Sequence, residues 1–240
     1  MARARRLYSS PLSAAAGVVQ LDDEARRHGH VLRLQPGDSL VLFDANGSEA
    51  DARVVTIDKR ALVCSVEPRR SVAPKAARLC LIVCAPKAAK LETIVRMATE
   101  LGVHAIHLAE SERSVPRMSA DSPKLERLRR ISLEACAQSE QPFAPELAGP
   151  LPLSAAAAAA PTRAQKLVFW EGAHSPLMAA LTGNEVWAIV GPEGGISANE
   201  VDVLTQLGYA PIGLGSGILR VETACVVVSA LLLDRLAMLR

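Results

Sequence analysis

The sequence predicts an α/β domain preceded by a small all-β module. Three observations predict it. From residue 79 onward, short apolar runs of strand length alternate with longer stretches of helical period, the pattern of a parallel sheet with crossover helices. Before residue 67 every apolar run is short, and turn residues punctuate the runs. Near the C-terminus, two glycine-bearing turns each follow an apolar run, which places both at the carboxyl edge of one parallel sheet, where open α/β sheets bind ligands.

The β-like runs of the first module are residues 17–21, 31–34, 39–43, 51–57 and 61–66. Pro36-Gly37-Asp38 and Asp44-Ala45-Asn46-Gly47 separate some of them, and Asn-Gly between apolar runs signals a hairpin. A small barrel is expected. Residues 67–77, with Pro68, Pro74 and several basic residues, read as a linker. Beyond it, strands are expected at 79–85 and 105–109 and helices at 91–101 and 124–139. Residues 150–161, with six consecutive alanines, read as a plain surface helix that interrupts the alternation. Strands are expected again at 166–170, 186–190 and 210–214. Ser197-Ala198-Asn199-Glu200 has the spacing of a capping box, so a helix begins right after the first glycine turn, and Gly208 can end it. The last helix, 223–238, is apolar nearly all round. More than one of its sides must be covered, and a subunit interface is a natural cover.

With 240 residues, half of them apolar, the chain can bury a sizeable core in one or two domains. Its longest uncharged apolar stretch, 223–233, falls short of the roughly 18 residues of a membrane span. The basic start, with Arg3, Arg5 and Arg6, is followed by Ser9, Ser10 and Pro11 rather than by the apolar segment of a signal peptide. A cytoplasmic protein without membrane partners is expected. Cys64, Cys80, Cys84, Cys136 and Cys225 are scattered in mostly apolar surroundings and read as reduced core thiols with no metal. His104, His107 and His174 carry no pattern that assigns them chemistry. The formal charge is +2, and its excess lies within residues 1–74, which hold eleven Lys/Arg against nine Asp/Glu. That balance suits either a polyanion-facing end or an ordinary solvated surface.

The two turns are Gly191-Pro192-Glu193-Gly194-Gly195-Ile196-Ser197 and Leu214-Gly215-Ser216-Gly217-Ile218-Leu219-Arg220-Val221-Glu222-Thr223-Ala224. Glycine there lets the backbone take positive φ and lets a ligand approach main-chain groups without meeting a Cβ. Neither turn has the spacing or the chain position of a dinucleotide fingerprint, and neither is followed by the Gly-Lys-Ser/Thr of a P-loop. Together they resemble the signature of the RsmE family, the uridine N3-methyltransferases of small-subunit ribosomal RNA in the SPOUT superfamily. Further matches are Arg6-Leu7-Tyr8, Val31-Leu32-Arg33-Leu34 with Gly37-Asp38, Thr99-Glu100-Leu101-Gly102-Val103, Ser111-Glu112-Arg113-Ser114-Val115, and Glu134-Ala135-Cys136 with Gln138-Ser139.

The resemblance implies a PUA-like RNA-binding β-barrel over 1–72 and a SPOUT methyltransferase domain over 73–240 whose C-terminal segment forms a trefoil knot. It implies a homodimer that binds S-adenosyl-L-methionine and methylates N3 of a uridine in 16S ribosomal RNA or the small ribosomal subunit. Uridine N3 must lose its proton to attack a sulfonium methyl, so a cation is sought at the site, with or without a base beside it. Arg220, Glu193 and Glu222 are the catalytic candidates. Arg220 reads either as a charge stabiliser or as a structural partner of Glu222, and Glu193 and Glu222 read as holding ligand or loop, Glu222 alternatively as favouring the start of its helix. Gly191, Glu193, Gly194, Gly195, Leu214, Gly215, Ile218, Leu219 and Thr223 are the cofactor candidates, the apolar ones reading alternatively as core. Arg6, His28, Arg33 and Arg113 are the RNA candidates. The chain departs from the family pattern at Gly217 and Val221, and it lacks basic residues at Met97, Gln141 and Phe143. Arg96, Arg117 and Arg220 are the nearby cations that could compensate. Two other readings stay open: methylation of a different RNA position, and a non-catalytic RNA-binding or ribosome-assembly factor on the same fold.

Overall fold

A computed structural model of the chain describes residues 5–10, 12, 16–84, 86, 88–114, 123–175, 181, 183–215 and 217–239. Val115, Arg117 and Ser216 lie outside them. The described chain divides into two compact units, Met1–Pro74 with Leu133–Ala144, and Lys75–Ser132 with Pro145–Arg240. The segment 133–144 is an addition to the first unit that the linear reading did not contain.

The first unit is a six-stranded sheet. Its strands are β1 (Arg5–Tyr8), β2 (Gly17–Gln20), β3 (Ser39–Phe43), β4 (Ser48–Ile57), β5 (Leu62–Val66) and β6 (Arg70–Ser71), in the order β1-β3-β4-β5-β2 with β6 on β4. β1 runs parallel to β3, and the other pairs are antiparallel. The Asn-Gly hairpin is present between β3 and β4. The Asp44 carboxylate accepts the amides of Asn46 at 2.8 Å and Ser48 at 2.9 Å and so shapes the turn. Two expectations are corrected. Residues 31–34 are not a strand, because they finish a helix, α1 (Asp23–Val31), capped by the Asp22 carboxylate on the amide of Ala25 at 2.7 Å. The segment 67–77 is not a bare linker, because β6 lies within it and pairs with β4.

In the second unit, β7 (Arg78–Cys84), α2 (Ala88–Leu101), β8 (Ala105–Glu110), α3 (Pro123–Ser139), β9 (Glu146–Pro152), α4 (Leu153–Ala158), β10 (Gln165–Phe169), β11 (Glu185–Val190), α5 (Ala198–Gln206), β12 (Ala210–Ile212) and α6 (Val221–Arg235) follow one another. The final seven residues of α3 belong to the first unit. The six strands form one all-parallel sheet in the order β12-β10-β11-β7-β8-β9. Parallel strands need both faces covered, and alternate residues do this here. Leu79, Leu81 and Val83 of β7 pack with Leu91, Ile94 and Val95 of α2 and with Cys225, Val228 and Leu232 of α6. Cys80, Ile82 and Cys84 pack with Ala156 and Ala157 of α4 and Leu204 of α5. All five cysteines are buried and free.

The alanine run is the main correction in this unit. Strand β9 precedes it, and Ala156 and Ala157 are fully buried against the sheet, where Tyr209 donates its hydroxyl to the Ala157 carbonyl at 3.1 Å. Alanine serves there as the residue small enough to bring a helix close to strands. The capping box is formed as expected, with Ser197 Oγ on the Glu200 amide at 3.3 Å and the Glu200 carboxylate on the Ser197 amide at 3.0 Å. No helix among the described residues is long and apolar enough to cross a membrane. Among them, no cluster of three or more His, Cys, Asp or Glu could hold a metal ion.

Candidate active site

Because every strand of the second sheet points the same way, the segments after β7, β8, β10, β11 and β12 all leave its carboxyl edge. The chain fills β7, β8 and β9 in one direction and then returns to the other side of β7 with β10 and β11. The switch point therefore falls between β7 and β11, the place where such sheets open a crevice for ligands. Both glycine turns lie along this edge.

The first turn follows β11. Gly195 has φ 71°, and a Cβ there would stand 2.3 Å from Oε1 of Glu171, so only glycine fits. The turn is tied down by the Gly195 amide on the Pro192 carbonyl at 2.9 Å and by the Trp170 indole on the Ile196 carbonyl at 3.0 Å. Arg113, leaving β8, donates to the Gly194 carbonyl at 2.9 Å. The sequence reading placed Arg113 among the RNA contacts, and the structure puts it against the glycine turn.

The second turn follows β12 and leads into α6. Gly215 has φ 110° with open space where a Cβ would go. Leu214 is half-buried and packs on the core, whereas Leu219 is 39% exposed and Ile218 is 94% exposed. Core packing is thus excluded as the role of Ile218. Gly213 donates its amide to the Ser175 carbonyl at 2.9 Å, so the segment after β10 is bonded to the second turn while its Glu171 lies against the first. That segment, Trp170 to Ser175, escaped the sequence reading. The one available signal was strand order, which no local pattern reveals.

Arg220 is the exposed N-cap residue of α6, and Glu222 stands in the first turn of that helix. The expected alternative partner of Glu222 was Arg220. The cation actually beside it is Lys90 of α2, which the sequence reading did not single out. Lys90 Nζ lies 2.9 Å from Glu193 Oε1 and 3.7 Å from Glu222 Oε2. Its hydrogen bond to Glu193 and the charges of Glu193 and Glu222 hold the ammonium above its ordinary range, against desolvation and the charge of Arg220. Glu222 Oε2 is buried and has no hydrogen-bond partner among the described residues. Catalytic candidates from two segments, the turn after β11 and the start of α6, are therefore brought together, with Lys90 of α2 between Glu193 and Glu222. Thr223 is exposed beside them on α6.

The expected RNA contacts of the first unit divide. Arg6 is buried: it is 9% exposed, pairs with Glu49 at 2.8 Å and lies over the Phe43 ring, 4.7 Å from its centroid. His28 is half-buried in the last turn of α1, and Arg33 is exposed just past it with φ 53°. Of the positions where the family carries basic residues, Met97 is 40% exposed and Gln141 and Phe143 are half-buried. His107 packs against Trp187 with ring centroids 4.7 Å apart and the planes tilted by 39°, and burial holds it and His104 below the ordinary histidine range.

A parallel sheet with two glycine turns along the carboxyl edge of its switch point, carried together with a separate β unit, defines the class: an α/β domain with an accessory module. The model of an RNA methyltransferase domain matches residues 73–233, and that of an RNA methyltransferase PUA domain matches residues 21–67. The chain belongs to this RNA methyltransferase family. It is 31% identical over 207 residues to Ribosomal RNA small subunit methyltransferase E of Synechocystis sp., an alignment covering 83% of this chain and 67% of that one. It is 29% identical over 229 residues to the protein of the same name from Mycobacterium tuberculosis, covering 92% and 87%. Among solved structures it is similar to Ribosomal RNA small subunit methyltransferase E from Neisseria gonorrhoeae bound to S-adenosyl methionine, with a TM-score of 0.90 at 26% identity over 97% and 98% of the two chains.

Proposed function

We propose that this chain methylates N3 of a uridine in small-subunit (16S) ribosomal RNA, using S-adenosyl-L-methionine held between the glycine turns. The observation that carries the reading is the meeting, at one carboxyl edge, of two glycine turns, an apolar residue left 94% exposed at Ile218 and a buried carboxylate oxygen of Glu222 that accepts no hydrogen bond from the described residues. These features fit an adenosyl ligand that brings both an apolar face and hydrogen-bond donors. Gly191, Glu193, Gly194, Gly195, Leu214, Gly215, Ile218, Leu219 and Thr223 form the binding set. When bound, the cofactor supplies an electrophilic methyl carbon on sulfur.

In this reading the chain's own residues do the rest. The glycine turns fix the ligand's orientation, which matters because in-line transfer is chiefly a positioning problem. Arg220 offers positive charge to the uracil oxygens as N3 loses its proton. Glu193 and Glu222 are the carboxylates placed to hold ligand or accept a proton. Residues 1–72, with Arg33 and His28, grip folded RNA, and 73–240 form the catalytic domain with a knotted C-terminal end. A cytoplasmic homodimer completes the proposal, with Val226, Val227, Ala230 and Leu231 of α6 available as an interface because none is fully buried in the single chain.

Incubating the purified protein with methyl-labelled S-adenosylmethionine and unmodified small-subunit ribosomal RNA tests the proposal. Label in the RNA is expected. An intact protein that binds RNA but transfers none would instead be the assembly factor on the same fold.

A further inference from the structure

We propose that Lys90 is a positioning residue that couples the two halves of the cofactor site. It does so by holding Glu193 of the first glycine turn and Glu222 of α6 as one ion-paired unit across the switch point. The inference rests on the reading of the glycine turns as a cofactor site and adds to it a residue that no motif marks.

Lys90 belongs to the helix after β7, Glu193 to the turn after β11, and Glu222 to the helix after β12. Those three strands come from both sides of the chain reversal in the sheet, and β12 is separated from β11 by β10. A single ammonium is within 2.9 Å of one carboxylate and 3.7 Å of the other. Without it, two carboxylates would lose the ammonium that lies between them, an arrangement in which like charges repel. The side chains are partly exposed, at 31% for Lys90, 37% for Glu193 and 22% for Glu222. Such a pair contributes little to stability as a surface salt bridge. Its consequence is geometric: it fixes where the first turn stands relative to the start of α6. The longer Lys90–Glu222 distance leaves Glu222 Oε2 free to accept a hydrogen bond from a ligand while still compensated in charge.

Calorimetry with the full-length protein and S-adenosylmethionine reads this directly. Lys90→Met is expected to weaken binding about tenfold or more, a loss of about 1.4 kcal/mol per factor of ten. Lys90→Arg is expected to restore affinity to within about threefold, since a guanidinium can span the same two carboxylates. The ligand-free melting temperature of Lys90→Met should move by less than about 3 °C, the size of change that a surface pair produces in a chain of this length. In a double-mutant cycle, the penalty of the double variant should be smaller than the sum of the Lys90→Met and Glu193→Gln penalties, because both remove the same link. Wild-type affinity in Lys90→Met overturns the proposal, as does a large fall in melting temperature with unchanged affinity, which would make Lys90 a fold-stabilising residue only. Full additivity in the cycle overturns it too, since Lys90 would then act on the ligand independently of Glu193. A wild-type protein that binds no S-adenosylmethionine would instead remove the cofactor-site reading itself, and the coupling with it.

Discussion

Gly215 shows what one side chain can decide at the candidate site. Space is open around it, but its φ of 110° is one that L-residues rarely adopt, so Gly215→Val must rebuild the second turn. Gly194→Val meets Arg113 instead, whose Cβ would lie 3.0 Å from the new Cβ. Both variants are expected to lose S-adenosylmethionine binding in calorimetry while keeping their circular dichroism spectrum. Retained wild-type affinity in both would move the ligand elsewhere. Arg220 is exposed and makes no side-chain cap on α6. Arg220→Ala is therefore expected to lower kcat by about 10²-fold with little change in cofactor affinity. Activity should return in part at alkaline pH, where the uracil ionises unaided. Parallel loss of binding and melting temperature at every pH would make Arg220 structural. His107 and His104 are held below the usual histidine range by burial, so the unfolded chain takes up protons there that the folded chain does not. Stability should consequently fall as pH drops through about 6.5 and below. His107→Phe, which keeps a ring against Trp187, should flatten that dependence of melting temperature relative to wild type.

Among the elements, the hydrophobic runs of β7, β8, β10 and β11 were legible because buried parallel strands are apolar on both faces. The capping box likewise announced α5. Helix α1 was missed for an opposite reason. Its residues are largely polar, with only Ala25 and Gly29 buried, and the apolar Val31, Leu32 and Leu34 at its end imitate a strand. Strand β9 was missed because Gly149, Pro150 and Pro152 argue against a strand anywhere but an edge, and an edge is where it lies. In the alanine run, composition gave the helix but not its burial. Ala156→Leu should destabilise the protein by about 1–3 kcal/mol through overpacking, whereas the exposed Ala158→Leu should stay within about 0.5 kcal/mol of wild type. Denaturant titration separates the two, and equal effects would contradict the packing of α4. Lys90 was illegible altogether, since its partners lie far along the chain and only the sheet order brings them near.

For the whole molecule, the two turns carried most of the functional reading, and the structure supplied the segment after β10 and the lysine that joins them. The proposed dimer is argued from α6, whose buried face is satisfied within the chain while Val227 is only half-buried. Val227→Asp should cost on the order of 3 kcal/mol or more if that face is dry in an assembly, and sedimentation should then report monomer or unfolded chain. Dimers of unchanged melting temperature would place the interface elsewhere. The central claim, methyl transfer to uridine N3, is tested most directly by digesting ribosomal RNA modified by the purified protein to nucleosides and identifying the labelled product by mass spectrometry. The account predicts 3-methyluridine at a single position of small-subunit RNA. Label on a ribose 2′-oxygen, on a ring carbon or on another base would contradict it.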